Sequence, residues 1–185
     1  MRILGISGSL RRDSYNTRLL AAAADVLPDG VELVPWDGLA AVPPFDEDAE
    51  LLPAPAAVAD LRAAIAHADA VLIATPEYNG SVPGQLKNAL DWVSRPYATN
   101  PLRNRPVAVV GASTGGFGAV WAQADLRRIL ARIGARVLDT ELAVAHADTR
   151  YDESGNLIDD DVRHGLADVV NELSSHAHAR ELAAA

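Results

Sequence analysis

Hydroxyl, amide and guanidinium groups are concentrated just after the first apolar run of the chain. The segment GISGSLRRDSYNTRLL, residues 5–20, places Ser7, Ser9, Ser14, Asn16 and two consecutive arginines between an apolar strand pattern and an apolar helix pattern. Such groups, together with the backbone N–H groups at a helix start, hold a single phosphate through short charge-assisted hydrogen bonds. Capping of the helix by Ser14 or Asn16 alone is the alternative, but one cap requires fewer polar groups than the segment contains. The segment therefore predicts a monophosphate site.

The same segment excludes two other kinds of phosphate loop. It has neither the G-x-x-x-x-G-K pattern of a P-loop nor the G-x-G-x-x-G pattern of a dinucleotide fold. A triphosphate or a pyrophosphate is accordingly not expected in this loop.

A second unusual segment reads TPEYNGSVPGQLKNALDW, residues 75–92. Pro76 interrupts a strand pattern, while Gly80 and Gly84 permit close approach of the backbone. Backbone groups freed in this way can face a planar heteroaromatic ring, with Tyr78 as a flat side wall. The alternative is that the segment forms only a polar turn.

A third segment, GASTGGFGAVWAQ at residues 111–123, is rich in glycine and follows another apolar run. Its glycines allow the backbone to come close to a ligand. Glycine-rich turns are common, so this segment carries weight only because of its position beside the other two.

Alternating strand and helix patterns must position these segments. Apolar runs typical of strands buried on both faces occupy residues 2–7, 70–75 and 106–113, and weaker strand patterns occupy residues 31–36 and 135–139. Helical patterns occupy residues 16–26, 56–66, 83–93, 119–133 and 159–183, and loops occupy residues 37–55, 94–105 and 143–158. This alternation predicts a doubly wound α/β sheet, in which ligands bind beyond the carboxyl ends of the strands. The three unusual segments therefore meet at one edge.

Composition narrows the possible functions. The 185 residues carry a formal net charge of -9, contain no cysteine and are 49% hydrophobic. We expect one domain over residues 1–185, large enough to bury about 70% of its unfolded surface. The negative charge argues against a nucleic-acid partner, and the short apolar runs argue against membrane insertion. A cytoplasmic location is expected. Because the chain contains no cysteine, any redox chemistry would have to come from a bound cofactor.

No metal site is predicted. His176 and His178 are the only close pair of histidines. Residues two apart on a helix point to different faces, so this pair does not form a chelating set.

The segments GSLRRDSYN, PEYNGSVPGQLKNALDWVSR and STGG follow the predicted first, third and fourth strands. In these segments the chain resembles the NAD(P)H-dependent FMN reductases, a flavodoxin-like group that includes azoreductase-, quinone-reductase- and chromate-reductase-type enzymes. The resemblance covers most of the chain, and the second segment is highly specific. It implies a flavodoxin-like α/β fold, with a doubly wound five-stranded parallel sheet in the order 2-1-3-4-5 and helices on both faces.

The resemblance also implies roles for individual residues. The FMN phosphate would be bound by Ser9, Arg11, Ser14 and Asn16. The isoalloxazine ring would be lined by Pro76, Glu77, Tyr78, Asn79 and Gly80, with Ser113, Thr114, Gly115 and Gly116 at its other edge. Tyr78 is expected to position the reactants. Members of the group are dimers or tetramers whose subunits meet near the flavin. A homodimer or homotetramer is therefore expected, with the helix of Lys87, Asp91 and Trp92 at the contact between subunits.

The implied activity is hydride transfer from NADPH or NADH through bound FMN to a small electron acceptor: a quinone, an azo compound, free flavin or a metal oxyanion. Two alternatives stay open. One is a flavodoxin-like electron carrier that a protein partner reduces. The acidic composition of this chain fits such a carrier, but these carriers typically use a threonine-rich phosphate loop and lack the PEYN segment. The other is a non-redox module that binds FMN or another monophosphate.

Overall fold

A parallel sheet lies at the centre of the computed structural model, which describes residues 1–184, so that Ala185 of the predicted domain lies outside the described residues. The strands are β1 (Arg2–Ser7), β2 (Glu32–Trp36), β3 (Ala70–Thr75), β4 (Pro106–Ala112), β5 (Arg136–Val137) and β6 (Leu142–Val144). Their hydrogen-bonded order is β2-β1-β3-β4-β5, and β6 also pairs with β4. The flavodoxin-like order predicted from the sequence is confirmed.

Helices cover both faces of the sheet. They are α1 (Tyr15–Ala24), α2 (Ala56–His67), α3 (Gly84–Val93), α4 (Val120–Ile133) and α5 (Asp160–Ala184). One core cluster joins α1 and α5 to the sheet, and a second joins α2, α3 and α4 to the opposite face. The predicted helices differ from these bounds by at most two residues at either end.

The central strands explain why the sheet lies between the two helical layers. Every residue of β3 and β4 is buried. Because successive side chains of a strand point to opposite faces, Leu72 enters the core beneath α1 and α5, whereas Ile73 enters the core beneath α2, α3 and α4. Near-continuous apolar runs are the expected pattern for such doubly covered strands.

The weak strand pattern at residues 135–139 is confirmed as β5, although β5 covers only Arg136–Val137. Two short strands, β5 and β6, pair with different parts of β4, so β6 also occupies the start of the predicted loop at residues 143–158. Between the pairs Val107–Val137 and Val110–Leu142 this edge contains two more residues than β4, so it bulges. The guanidinium of Arg127 fills the bulge.

Arg127 provides the hydrogen bonds that the interrupted ladder lacks. Its Nη2 donates to the carbonyl oxygens of Thr140 at 3.0 Å and Val109 at 3.3 Å, and its Nη1 donates to Glu141 Oε1 at 2.7 Å. Burial lowers the pKa of Arg127, and the nearby carboxylates of Glu141 and Asp139 offset this in part. The edge of the sheet is thus held by a side chain from α4.

The remaining predicted loops contain short 3-10 helices at Gly38–Ala41, Glu47–Leu51 and Tyr97–Thr99. Among the described helices, none combines the length and apolar character that a membrane span requires.

Candidate active site

The loop between β1 and α1 is stabilised by its own hydroxyl groups. The Ser9 hydroxyl accepts a hydrogen bond from the amide of Arg11 at 3.2 Å. The Ser14 hydroxyl caps α1, because it accepts hydrogen bonds from the amides of Asn16 at 3.2 Å and Thr17 at 3.4 Å. The capping role that the sequence left open for Ser14 is therefore real, and the guanidinium of Arg11 remains exposed beside the positive end of the helix.

Asn16 joins this loop to the end of β4. Its Nδ2 donates to the carbonyl oxygen of Ala112 at 3.0 Å, and its Oδ1 accepts a hydrogen bond from the amide of Ala112 at 2.9 Å. Asn16 is 3% exposed. The side chain predicted to bind phosphate thus already connects two of the three ligand loops.

The loop after β3 turns sharply at Asn79 and Gly80. These residues have φ values of 53° and 74°, and the amides and carbonyls of Tyr78 and Ser81 are paired across them. Positive φ at both central residues is the type I′ arrangement, which explains the Asn-Gly sequence at this point. The Ser81 hydroxyl donates to Asp125 Oδ2 on α4 at 2.8 Å. The tip of the loop is thereby fastened to the neighbouring helix.

The hydrogen bond from Ser81, followed by one from Arg128, lowers the pKa of Asp125. Asp125 therefore stays ionised at neutral pH and keeps its role as an acceptor for the turn.

Glu77 connects the same loop to the start of α4. Its Oε2 accepts hydrogen bonds from the amides of Trp121 and Ala122, each at 3.0 Å. The residue before α4, Ala119, is in the left-handed region with φ 62° and supplies no side-chain cap. A carboxylate from another loop therefore caps this helix and meets its positive end.

The loop after β4 lies open at the surface. Ser113 donates its amide to the Val144 carbonyl at 3.0 Å, and its hydroxyl accepts from the amide of Gly115 at 3.1 Å. Further along, a Cβ at Gly118, where φ is 57°, would lie 2.4 Å from the carbonyl carbon of Ala143. Only glycine fits there, so the turn packs directly against β6.

The three loops enclose one cleft of about 160 Å³. It is lined by Ser9, Arg11, Ser14, Tyr15, Asn16, Pro76, Glu77, Tyr78, Ala112, Ser113 and Thr114. The predicted convergence of the three loops is therefore seen in the fold. The predicted site residues outside this lining are Asn79, Gly80, Gly115 and Gly116, all of which occupy the exposed turns.

Two lining residues were missed from the sequence, Tyr15 and Ala112. Each lies next to a predicted residue, and Ala112 has no functional side chain that would draw attention to it. Only the position of β4 brings its backbone into the cleft.

The cleft has the chemistry that an FMN group requires. Hydroxyl groups and the Arg11 guanidinium lie at the α1 end, where an anion is favoured. At the other end, Tyr78 is 49% exposed, and a Cβ at Gly116 would meet nothing closer than His146 Nε2 at 3.8 Å. The volume is below the roughly 300–1,000 Å³ that encloses a drug-sized ligand. The residues therefore fit a flavin whose ring extends beyond the enclosed part.

Fold and cleft together define a flavodoxin-like protein with a site suited to a flavin mononucleotide. Residues 1–149 match the family model described as NADPH-dependent FMN reductase, and the chain belongs to that family. A NAD(P)H-dependent FMN reductase of Pseudomonas aeruginosa is 42% identical over 164 residues, which is 88% of each chain. A 2-hydroxy-1,4-benzoquinone reductase from a Burkholderia species is 35% identical over 185 residues, covering 98% of this chain and 99% of its own.

The solved structures agree with these relatives. The flavoenzyme NAD(P)H:(acceptor) oxidoreductase FerB of Paracoccus denitrificans superposes with a TM-score of 0.85 at 34% identity, over 96% of this chain and 97% of its own. The protein is thus an NAD(P)H-dependent, FMN-containing oxidoreductase, as predicted. The reductase interpretation is favoured over the carrier and the non-redox module, whereas the individual site residues stay predictions.

Proposed function

We propose that this enzyme transfers reducing equivalents from NAD(P)H, by way of FMN in the cleft, to a quinone. The observation that carries the proposal is the arrangement of the cleft, with phosphate-binding donors at the α1 end and the half-exposed Tyr78 at the other. Relatives named as quinone reductases, among them the benzoquinone reductase, support the choice of acceptor. When bound, FMN supplies the hydride chemistry, because it accepts hydride from NAD(P)H and reduces the acceptor.

At the α1 end of the cleft, the chain binds the FMN phosphate and so orients the cofactor. In this proposal Arg11 and the hydroxyls of Ser9 and Ser14 hold the phosphate, and the N-terminus of α1 adds its partial positive charge. Asn16 keeps the loop at a fixed distance from β4 through its two bonds to Ala112. Positioning by rigid elements is the main contribution a protein makes to a cofactor reaction.

At the opposite end of the cleft, beside Tyr78, the chain covers the flavin ring and stabilises charge that develops on it. Tyr78 forms a flat wall. The backbone N–H groups of Asn79, Gly80, Thr114 and Gly116, which donate no hydrogen bond within the described residues, are candidates to stabilise negative charge that develops there. The Glu77 carboxylate is already bonded to two amides of α4. We therefore assign it a positioning role and give it no part in proton transfer.

We further propose that the chain assembles as a homodimer or homotetramer with the cleft near the contact. Phe117 and Trp121, whose rings lie 4.8 Å apart, are 65% and 50% exposed beside the cleft loops. Exposed apolar clusters of this kind mark interaction surfaces. On α3, Lys87 and Asp91 reach the surface, whereas Trp92 is 2% exposed and belongs to the core. Light scattering on wild type and on Trp121→Lys tests this, with a dimer or tetramer expected for the wild type and a smaller species for the variant.

An anaerobic titration tests the proposed reaction. The protein is loaded with FMN, NADPH or NADH is added, and the flavin absorbance is followed before and after addition of a benzoquinone. We expect bleaching by the donor and recovery on addition of the quinone. Bound flavin that stays oxidised would favour the electron carrier or the non-redox module, and bleached flavin that a quinone does not reoxidise would exclude this acceptor class.

A further inference from the structure

A histidine that follows β6 lies against the third ligand loop. The Nε2 atom of His146 is 3.8 Å from the position that a Cβ at Gly116 would take, and its Cε1 atom is 3.9 Å from it. Gly116 belongs to the turn at residues 113–116, which the proposed function puts at one edge of the flavin ring. His146 was not predicted as a site residue, because it follows β6 whereas the ligand loops follow β1, β3 and β4.

The backbone around His146 is bonded to the same turn. His146 donates its amide to the carbonyl oxygen of Gly115 at 3.1 Å, and Ala147 donates its amide to the carbonyl oxygen of Ser113 at 3.0 Å. Val144 and Ala147, on either side of the histidine, are buried. The position of the imidazole relative to the turn is therefore set by the backbones of both loops.

His146 itself has a left-handed backbone conformation, with φ 49° and ψ 46°. Its carbonyl oxygen accepts hydrogen bonds from the amide and the hydroxyl of Thr149, each at 2.9 Å. Histidine and asparagine are among the non-glycine residues that adopt this conformation most often. The backbone is thus held on both sides, while the side chain is exposed beside the turn.

The charged groups around the turn can be named one by one. Segment 111–120, which contains the turn, has no charged residue. In the loop after β3, the carboxylate of Glu77 is held by two amides of α4. On the other side, Asp148 is exposed, and the guanidinium of Arg150 bonds to the carboxylate of Asp159. The imidazole, when protonated, therefore adds a positive charge to a turn that has none of its own.

Hydride transfer creates a negative charge that such a cation can stabilise. The hydride takes two electrons and one proton from NAD(P)H to oxidised FMN, so the nicotinamide becomes positive and the ring gains one negative charge. That charge is removed when the ring takes a proton from solvent or passes the hydride to the quinone. A fixed positive group beside the developing charge favours the reduced form. Histidine is the side chain whose charge ordinarily changes between pH 5 and 8.

We propose that protonated His146 stabilises the negative charge of reduced FMN at the turn of residues 113–116 and so raises the reduction potential of the bound cofactor. The inference rests on the proposed function, because it requires FMN in the cleft with its ring at this turn. His146 acts through its charge and neither donates nor accepts the hydride. The reduction potential therefore depends on the protonation of this one side chain.

The midpoint potential of bound FMN tests the proposal without turnover of the enzyme. FMN-loaded wild type, His146→Asn and His146→Lys are titrated electrochemically between about pH 5.5 and 8.5. Asparagine tolerates the left-handed backbone and is neutral throughout this range, whereas lysine stays positive. His67→Asn is the matched control, because His67 is exposed at the end of α2, just before β3 begins, and so lies at the opposite edge of the sheet from the cleft.

At the acidic end of this range, His146→Asn should lower the ratio of the affinities for reduced and oxidised FMN about tenfold, which is about 30 mV for two electrons. The difference from wild type should disappear toward the alkaline end, because histidine is neutral there. His146→Lys should keep the higher potential over the whole range, and His67→Asn should follow wild type.

Equal potentials for wild type and His146→Asn at every pH overturn the role of His146, while the proposed function stands if NAD(P)H still reduces the flavin. One constant offset shared by His146→Asn and His146→Lys also overturns it, since that result reports the loss of the ring and not of its charge. Should His146→Asn fail to bind oxidised FMN in a fluorescence titration, the pH dependence of wild type against His146→Lys decides. Wild-type protein that fails to bind FMN overturns the proposed function and this inference together.

Discussion

Asn16 and Ala112 are joined by two reciprocal hydrogen bonds of 3.0 and 2.9 Å, so the start of α1 and the end of β4 form one unit. Both Asn16 and Ala112 are buried. Since backbone groups buried without a partner are costly, the carboxamide does structural work whether or not it also reaches the phosphate. This one side chain therefore helps to fix the relative position of two ligand loops.

Replacement of Asn16 by leucine is expected to destabilise the protein by about 1–3 kcal/mol, because it leaves the amide and carbonyl of Ala112 buried without partners. Urea unfolding of the apo protein measures the free energy directly, without any contribution from bound flavin. Asn171→Ala, at an exposed position of α5, is the control and should change stability by less than about 0.5 kcal/mol. Equal effects of the two substitutions would show that the reciprocal pair contributes no stability.

Arg11 is expected to contribute most of the charge-assisted binding of the FMN phosphate. Arg11→Ala should weaken FMN binding by about 1.5–3 kcal/mol, the range for a hydrogen bond to a charged group. Arg12→Ala is the matched control, since Arg12 is an exposed neighbour outside the cleft lining. Fluorescence titration of the apo proteins gives both affinities. An intact affinity in Arg11→Ala combined with a loss in Arg12→Ala would move the phosphate contact to Arg12.

The fold could be predicted because its strongest signals are local. The runs of β3 and β4 are apolar throughout and buried throughout, so their pattern needs no information from elsewhere in the chain. The interrupted edge strand could not be predicted, because the side chain that fills its bulge, Arg127, comes from α4.

Within the site, too, features with a local sequence signal could be predicted, whereas contacts between distant parts of the chain could not. Convergence of the three loops follows from the sheet topology. The hydrogen-bond partners that fix these loops do not follow from the topology, because they are far apart in the sequence. Glu77 lies 44 residues from Trp121, and Asn16 lies 96 residues from Ala112. A local pattern shows that these residues are polar but not which backbone groups they bind.

Glu77 is expected to stabilise α4 from the loop after β3. Glu77→Ala leaves the amides of Trp121 and Ala122 without their acceptor and should cost about 0.5–2 kcal/mol, as loss of an N-cap does. Glu77→Gln keeps an acceptor oxygen and should retain part of this stability. Thermal and urea unfolding of the two variants provide the comparison. If Glu77→Ala is as stable as wild type, the carboxylate is not a cap in solution.

Tyr78 is expected to position the reactants at the exposed end of the cleft. Tyr78→Ala removes the flat wall and should lower turnover, while FMN binding is preserved because the phosphate contacts lie at the α1 end. Tyr78→Phe retains the ring and should behave like wild type, which separates the wall from the hydroxyl. Steady-state rates with NADH and a benzoquinone, measured at saturating FMN, test both variants. Unchanged turnover in Tyr78→Ala would remove the residue from the mechanism.

Tyr151 is expected to make stability depend on pH in the alkaline range. It is 7% exposed, and within residues 1–184 its hydroxyl has no hydrogen-bond partner. Burial raises its pKa from 10.0 to about 12. Because the folded state disfavours the phenolate, the unfolded protein loses the Tyr151 proton at a lower pH than the folded protein does. The contribution of the neutral Tyr151 to the free energy of unfolding is therefore complete below pH 10 and is lost as the pH rises through about 12.

Tyr151→Phe should therefore remove part of the alkaline loss of stability. At pH 7 it should also stabilise the protein by about 1 kcal/mol, because it removes a buried hydroxyl that lacks a partner. Urea unfolding at pH 7, 9 and 11 gives both effects, and Tyr97→Phe, at a tyrosine that is 52% exposed, is the control. If wild type and Tyr151→Phe lose stability in parallel between pH 9 and 11, other groups govern the alkaline transition. A loss of stability at pH 7 would mean that the hydroxyl has a partner in solution, such as an ordered water molecule.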